Sequence, residues 1–354
     1  MDGLNLLLRI TLGILGFGLI TGTLFSVIQT FVLPRSVPDV IYNFVFVFVR
    51  KVFRFLLKFT KTYKQKDRVL AYLAPFSLMA LLPTWYILIQ LGFSALYSSL
   101  YDISLWESIL VSGSSLLTLG FSKFDFKGAA ILEFGEATIG LILVALLMAY
   151  LPTIYSSFSK RETLVTMLEV RAGNKVSPVE MINRHHRIHG IERLSEMWKT
   201  WEVWFAEIEE SHTSLPSLVY FRSPNPSRNW VNAAGAVLDG AALYLSVLDI
   251  DVDPQAALCL RSGYIALRSI CDTFDLTYDP NPQSGDFIHI SRQEFDLAIQ
   301  ALIKQGVPVK DNLEEAWVNF GGWRVNYDEP LLKLAGLVLA PSSDWCGDKM
   351  IPYW

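Results

Sequence analysis

Three apolar runs restrict what this chain can fold into. Residues 10–33, about 69–100 and about 129–158 are each long enough to cross a bilayer, whose hydrocarbon core requires roughly 20 helical residues. Because backbone polar groups inside lipid must be paired within their own segment, each run is predicted to be a transmembrane helix. Of the 354 residues, 52% are apolar and only 18% are charged, a composition too apolar for an ordinary soluble protein.

The first run is predicted to be a retained span, within a segment covering residues 1–38. Arg9 ahead of it is offset by Asp2, and no small-residue cleavage site follows, so a signal peptide is not favoured. The run also carries four glycines, which either allow a neighbouring helix to approach closely or reflect the general frequency of glycine in membrane helices: Gly13, Gly16, Gly18 and Gly22.

Residues 39–68 combine apolar and basic side chains. An apolar start that is too short to span is followed by basic residues interleaved with Val, Phe and Leu: Arg50, Lys51, Arg54, Lys58 and Lys61. This composition predicts an amphipathic helix on the membrane surface, with the basic residues of 50–68 facing anionic lipid headgroups. A linker helix docked on the protein, with solvated charges, is an equally good interpretation.

The distribution of charge predicts the orientation. The basic cluster at 50–68 and the pair Lys160 and Arg161 mark the cytoplasmic side. The N-terminus and the connection 101–128 then lie outside, and residues 161–354 form a cytoplasmic domain. Residues 1–160 carry 13 Lys and Arg against 8 Asp and Glu, whereas the rest carries 17 against 26. The pattern predicts a multi-pass protein of the cell membrane. The soluble part has no basic stripe, so binding to nucleic acid is not predicted.

The C-terminal half has helical patterning. Trp198, Trp201, Phe205 and Ile208 recur at helical spacing, and Ser291 to Glu294 reads as a capping box.

An apolar run at 233–250 is predicted to be a buried core helix rather than a fourth span, because Asp239 lies in its middle and an acid inside a bilayer is unfavourable. Arg222 and Arg228 flank a proline-rich stretch, interpreted either as an anion site or as a plain connector.

The connection between the second and third runs is unusual. Residues 104–117 are apolar but too short to cross, and Thr118-Leu119-Gly120-Phe121 follows directly. Backbone at membrane depth is tolerated only when it is buried in protein or lines water, so a half-helix that returns as a loop belongs inside an assembly. The order of span, short helix, T-x-G-[FY] and span resembles the pore module of the tetrameric potassium-channel superfamily, over residues 69–160.

The resemblance implies a division of residues 69–160 into functional parts. These are an outer helix 69–100, a pore helix 104–117, a filter 118–122 and an inner helix 129–158. Backbone carbonyls of the filter would replace the hydration shell of K⁺ or another monovalent cation, without a cofactor. The filter residues would be Thr118, Leu119, Gly120, Phe121 and Ser122, and a ring of such strands implies a homotetramer.

Four residues of the inner helix are candidates for a gate. Gly140 lies where such channels often place a hinge, and Pro152 can bend the helix near its cytoplasmic end. Met148 and Leu151 would then form a hydrophobic constriction. That Gly140 and Pro152 are ordinary membrane-helix residues is an equally good interpretation.

Two residues depart from the pattern of the family. Ser122 stands where a second glycine is usual, and Lys123 stands where an acid is usual. A positive charge about 8 Å from a cation costs up to about 2 kcal/mol at an effective dielectric of about 20, before screening. Either Lys123 turns away to pair with an acid of the outer mouth, or selectivity differs from that of a typical potassium channel. The acids considered are Asp125, Glu133 and Glu136.

The sequence thus predicts an all-α membrane protein. It would have three transmembrane helices, a re-entrant pore helix with a filter loop, and a soluble α-helical C-terminal domain. The predicted function is a cation channel that residues 161–354 gate or assemble, through a ligand that the sequence does not indicate. The alternative is a non-conducting membrane-anchored sensor or scaffold that uses a degenerate pore fold to oligomerise. No nucleophile–base set or phosphate loop supports an enzyme.

Overall fold

The computed structural model describes residues 3–33, 39–101, 103–124, 128–188, 190–251 and 253–353. These residues form helices and loops, with no strand among them. The chain divides into two compact units. The N-terminal unit comprises Met1–Leu56 and Tyr72–Tyr155, and the C-terminal unit comprises Leu57–Ala71 and Ser156–Trp354.

The N-terminal unit is built from long apolar helices. They are α1 (Gly3–Phe31), α2 (Val40–Leu57), α4 (Leu73–Leu100), α5 (Leu105–Leu116) and α6 (Ala129–Ala172), the last of which continues into the C-terminal unit. Three segments that lie wholly or partly in this unit are long and apolar enough to cross a membrane: Leu6–Phe31, Tyr63–Leu100 and Ala129–Ala172. Such helices indicate a membrane protein.

Close packing of α1 on α4 depends on glycine. A Cβ on Gly16 would lie 2.6 Å from the carbonyl oxygen of Gly92, and a Cβ on Gly92 would lie 2.7 Å from a side-chain carbon of Ile20. A Cβ on Gly18 or Gly22, by contrast, meets nothing within 4 Å. Gly16 therefore allows a neighbouring helix to approach closely, as one interpretation predicts. Gly18 and Gly22 make no such helix contact within the chain, which fits the interpretation that glycine is generally frequent in membrane helices.

The C-terminal unit is a helical domain with an aromatic core. Its helices are α3 (Tyr63–Leu70), α7 (Pro178–Arg187), α8 (Leu194–Ser214), α9 (Trp230–Val247), α10 (Pro254–Thr273), α11 (Arg292–Lys304), α12 (Leu313–Arg324) and α13 (Asp328–Val338). The predicted face of α8 is buried, including Trp198, Trp201 and Phe205, and Ser291 forms its capping box with Glu294 at the start of α11.

The apolar helix α9 is the centre of the C-terminal unit. It is long and apolar enough to qualify as a span, yet every residue except Leu245 is buried, against α7, α10, α12 and α13. Asp239 in its middle receives hydrogen bonds from Arg324 and Tyr327. The predicted burial of this helix is observed, and the acid in its middle is paired as burial requires, whereas its position outside the membrane stays a prediction.

Residues 39–68 form two helices rather than one. In the N-terminal unit, α2 buries Val45, Phe46, Val49 and Phe53, and its exposed residues include basic side chains such as Lys51 as well as apolar ones such as Phe44. In the C-terminal unit, α3 starts at a capping box between Thr62 and Gln65 and is docked on protein. The docked-linker interpretation therefore holds for α3, while contact of α2 with lipid headgroups stays a prediction.

Helix α3 is held in the C-terminal unit by Arg222, whose side chain is only 7% exposed. Its guanidinium donates to Asp67, to the hydroxyl of Tyr63 at 2.6 Å and to the carbonyl of Val338 at 2.5 Å. Arg228 is also engaged, donating to Glu169 at 2.5 Å. These contacts favour the plain-connector interpretation of this stretch, because both guanidiniums already have acidic partners in the protein.

Candidate functional site

Helix α5 is the predicted pore helix, and its start is fixed by a capping box. The hydroxyl of Ser104 accepts from the backbone N–H of Glu107, and the Glu107 carboxylate accepts from the backbone N–H of Ser104. The helix then packs on α4 through Gln90, whose side-chain amide donates to the Ile109 carbonyl at 3.2 Å. The helix runs from 105 to 116, one residue shorter at each end than predicted.

The segment after α5 folds back onto the C-terminal end of that helix. The backbone N–H groups of Leu119 and Gly120 donate to the carbonyl of Ser114, at 2.8 and 3.3 Å. The N–H of Ser122 donates to the Ser114 hydroxyl at 3.0 Å. Ser114 is itself buried, so one residue of α5 satisfies three amides of the predicted filter.

The carbonyls of the same segment have no such partners. Within the described part of the chain, no group donates a hydrogen bond to the carbonyl oxygens of residues 118–121. Thr118 and Gly120 both have left-handed backbone, with φ of 55° and 69°. For Thr118 this conformation is unfavourable, because its Cβ crowds the following carbonyl. Residues 117–121 are all exposed in the single chain, including Leu119 and Phe121.

The end of the segment is held by Glu133 at the start of α6. The backbone N–H of Phe124 donates to the Glu133 carboxylate at 2.9 Å, and the Phe124 ring packs on Tyr97, with centroids 5.2 Å apart. Lys123 is exposed and forms no ion pair with a residue that the structure describes. Pairing of Lys123 with Glu133 or Glu136 is therefore not observed, and Asp125 lies outside the described residues.

Glu136 does not lie at the exposed outer mouth where it was predicted. It is fully buried behind α5, where the Ser112 hydroxyl donates to one carboxylate oxygen and the Tyr97 hydroxyl donates to the other at 3.1 Å. A carboxylate inside an apolar helix needs hydrogen-bond donors around it. The apolar neighbours of Glu136 in the sequence were therefore the signal that this acid is buried rather than exposed at the pore mouth. Ser112 and Tyr97 were not predicted as part of the site.

Gly140 brings α6 against the end of α5. A Cβ at this position would collide with the carbonyl oxygen of Leu116, and the Gly140 carbonyl accepts a hydrogen bond from the Tyr86 hydroxyl at 2.7 Å. Glycine is thus required here for close packing behind the predicted filter. Its function as a hinge stays a prediction.

The other predicted gate residues lie on one continuous helix. Residues 129–172 form α6 without interruption, so Pro152 does not end the helix, and α6 extends beyond the predicted end at 158. Met148, Leu151 and Pro152 are exposed, whereas Leu143, Tyr150 and Ile154 of the same helix are buried. The exposed face is free to meet lipid or another subunit, and a constriction at Met148 and Leu151 stays a prediction.

Arg161, one of the two predicted cytoplasmic markers, is a buried part of the C-terminal unit. It donates to the carbonyls of Leu218 and Phe221, at 2.9 and 2.7 Å, and pairs with Glu162. Its guanidinium also lies 3.1 Å from Nε2 of His212. Burial and then Arg161 hold the pKa of His212 well below its ordinary value, because a second charge beside a buried guanidinium is unfavourable.

The comparisons with known proteins add no relative: the chain matches no protein-family model, no curated protein and no solved structure. Among the described residues there is also no group of three or more His, Cys, Asp or Glu side chains arranged to hold a metal.

Proposed function

We propose that this chain is one subunit of a homotetrameric cation channel of the potassium-channel type, with residues 118–122 as its filter. The observation that carries the proposal is the division of the filter backbone. The backbone N–H groups of residues 119, 120 and 122 donate hydrogen bonds to Ser114, whereas the carbonyls of residues 118–121 accept no hydrogen bond from described residues. Carbonyl oxygens in this state are the groups that replace the water around a permeating cation.

The proposal also explains the left-handed residues and the exposed apolar side chains. Left-handed backbone at Thr118 and Gly120, two residues apart, turns successive peptide groups in a way that a regular helix or strand does not. One chain supplies one strand of carbonyls, so a ring requires several copies. Leu119 and Phe121, exposed in the single chain, would be covered by neighbouring copies.

In this proposal α1, the outer helix α4 and the inner helix α6 span the cell membrane, and α5 is the re-entrant pore helix. The N-terminus is outside, and the C-terminal unit is cytoplasmic, as the basic residues of 50–68 favour. Monovalent cations, K⁺ among them, would pass. The C-terminal unit would gate or assemble the pore, since it holds α3 directly ahead of the outer helix.

A second candidate function is a non-conducting, membrane-anchored sensor or scaffold. Lys123 favours it, because this cation is exposed one residue after the filter and no described acid neutralises it. Ser122 favours it as well, since it replaces the glycine that is usual at the outer end of a filter. Four lysines around one axis would oppose the entry of cations.

Flux through the purified full chain in liposomes tests the proposal, with K⁺, Na⁺ and Cl⁻ compared. We expect cation flux that Gly120→Asp abolishes. Gly128→Asp is the matched control, because both glycines have positive φ and a Cβ at either meets nothing within 4 Å. Normal flux in Gly120→Asp would remove the filter assignment, and an intact tetramer without any cation flux would favour the scaffold. Images of solubilised particles give the subunit number, expected to be four.

A further inference from the structure

A cavity of about 890 Å³ lies within the C-terminal unit, away from the predicted filter residues in sequence. Its walls come from the last turns of α6, from α7 with the residue that follows it, and from the start of α8. This volume falls in the range of sites that hold small organic ligands. No interaction described so far uses it.

The cavity is basic. Four arginines line it against two glutamates: Arg171, Arg184, Arg187 and Arg193 against Glu180 and Glu196. Glu180 is occupied by two of the four, since Arg184 donates to it at 2.6 Å and Arg187 at 2.9 Å. The other two, Arg171 and Arg193, form no ion pair with a described residue. The cavity therefore keeps positive charge that the protein does not balance.

The rest of the lining is apolar. Met167 and Val170 of α6 and Ile188 after α7 line the cavity and are exposed to solvent, with Trp201 of α8 beside them. Exposed apolar side chains grouped in a concave surface mark a binding site more often than scattered ones do. Arg184 also fixes this wall, because it donates to the Val170 carbonyl at 2.7 Å.

We propose that this cavity binds an amphiphilic organic anion, with a phosphate or carboxylate group on Arg171 and Arg193 and an apolar body against Met167, Val170 and Ile188. Guanidinium groups suit such an anion because they donate two parallel hydrogen bonds to its oxygens. The apolar wall would distinguish this ligand from a free inorganic anion. The inference goes beyond the proposed channel and does not depend on conduction.

The test uses the full chain in nanodiscs of neutral lipid and three water-soluble probes. Octyl phosphate carries both chemical groups, inorganic phosphate carries only the anion, and octyltrimethylammonium carries the same chain with a cation. Binding is measured by the thermal unfolding midpoint and by hydrogen-exchange protection of residues 164–171 and 178–188. We expect octyl phosphate to bind at least about tenfold more tightly than either of the other probes.

Two variants separate the contributions of charge and of the apolar wall. The double variant Arg171→Glu with Arg193→Glu is expected to weaken octyl phosphate at least about tenfold, and Arg261→Glu, an exposed arginine on α10, is the control that leaves the dissociation constant unchanged. Val170→Ser at the exposed wall is expected to weaken octyl phosphate but not inorganic phosphate.

Unchanged binding in the double variant would overturn the proposal, as would equal binding of octyltrimethylammonium. Equal affinity for inorganic phosphate and octyl phosphate would overturn the proposal of an amphiphilic ligand and would indicate a site for the anionic group alone. Because Arg171, Arg193 and Val170 are not buried, the variants are expected to fold, which the unfolding midpoint without probe verifies.

Discussion

Helices α6 and α9 are both long and apolar enough to cross a membrane, but they differ in how much of their surface packs within the chain. Of the most apolar 18-residue window in α6, 22% is buried within the chain, whereas for α9 the share is 94%. Each helix nevertheless buries an acid that is paired within the chain. Asp239 of α9 is paired with a guanidinium, and Glu136 of α6 is paired with two hydroxyls. The C-terminal unit therefore completes its own core, while the N-terminal unit leaves apolar surface for lipid or for other subunits.

The largest effect is expected where the self-contained core of the C-terminal unit is broken. Arg324→Met leaves Asp239 buried without its cation and leaves Asp328 with His289 as its remaining partner, and removing one partner of a buried pair costs about 3–5 kcal/mol. Urea unfolding of the full chain, followed by tryptophan fluorescence, measures it, because eight of the ten Trp lie after residue 160. The exposed Arg261→Met is the control. Equal loss in both variants would show that Arg324 does not hold this core.

The second largest effect is expected where the close packing of α6 against α5, behind the predicted filter, is disrupted. Gly140→Ala places a Cβ against the Leu116 carbonyl, and such overpacking is expected to lower stability by about 1–3 kcal/mol and to reduce cation flux. Gly135→Ala on the same helix, where a Cβ meets nothing within 4 Å, is expected to be neutral or slightly stabilising. The unfolding midpoint in detergent measures both. Identical behaviour of the two alanines would contradict the close contact.

Lys123 tests whether the N-terminal unit conducts as an assembly. Lys123→Asp is expected to raise cation flux several-fold, because it removes positive charge beside the filter and adds negative charge. Increased salt is expected to shrink the difference between variant and parent. Lys175→Asp, on an exposed loop of the C-terminal unit, is the matched charge change. No change in flux with Lys123→Asp would mean that this lysine points away from the path of the ion.

The pH dependence of the C-terminal unit is the smallest of the expected effects. The pKa of His212 is lowered in the folded state, so below about pH 6.5 the unfolded chain binds a proton that the folded chain does not. Stability is therefore full above about pH 6.5 and falls by up to about 1.4 kcal/mol per pH unit as pH drops toward the folded pKa. His212→Gln is expected to flatten this slope in urea titrations between pH 7 and 5. An unchanged slope would assign the acid sensitivity to other groups.

Local patterns were sufficient to predict several elements of both units. The apolar runs gave the long helices, the capping box at Ser291 marked a true helix start, and Asp239 indicated that α9 is buried. Each of these signals acts over a few neighbouring residues, and a short stretch of sequence therefore carries it. The ends of α5 were predicted within one residue for the same reason.

Partners distant in sequence were not predictable from these patterns. Glu136 was assigned to the outer mouth together with Glu133, as a possible partner of Lys123, yet Glu136 lies behind α5 and Glu133 accepts a hydrogen bond from Phe124. Arg222 was interpreted through its prolines, although Asp67, 155 positions away, is its partner. The basic cavity joins α6, α7 and α8, and nothing in its spacing in the sequence marked it.

The amino-acid sequence by itself determined an all-helical chain with long apolar segments, because helix length and apolar composition are properties of neighbouring residues. Tertiary structure alone decided which polar groups distant in sequence were paired, since burial depends on what packs on each face. In the folded chain the backbone amides of residues 119, 120 and 122 donate hydrogen bonds to Ser114, and the neighbouring carbonyls have no partner among the described residues.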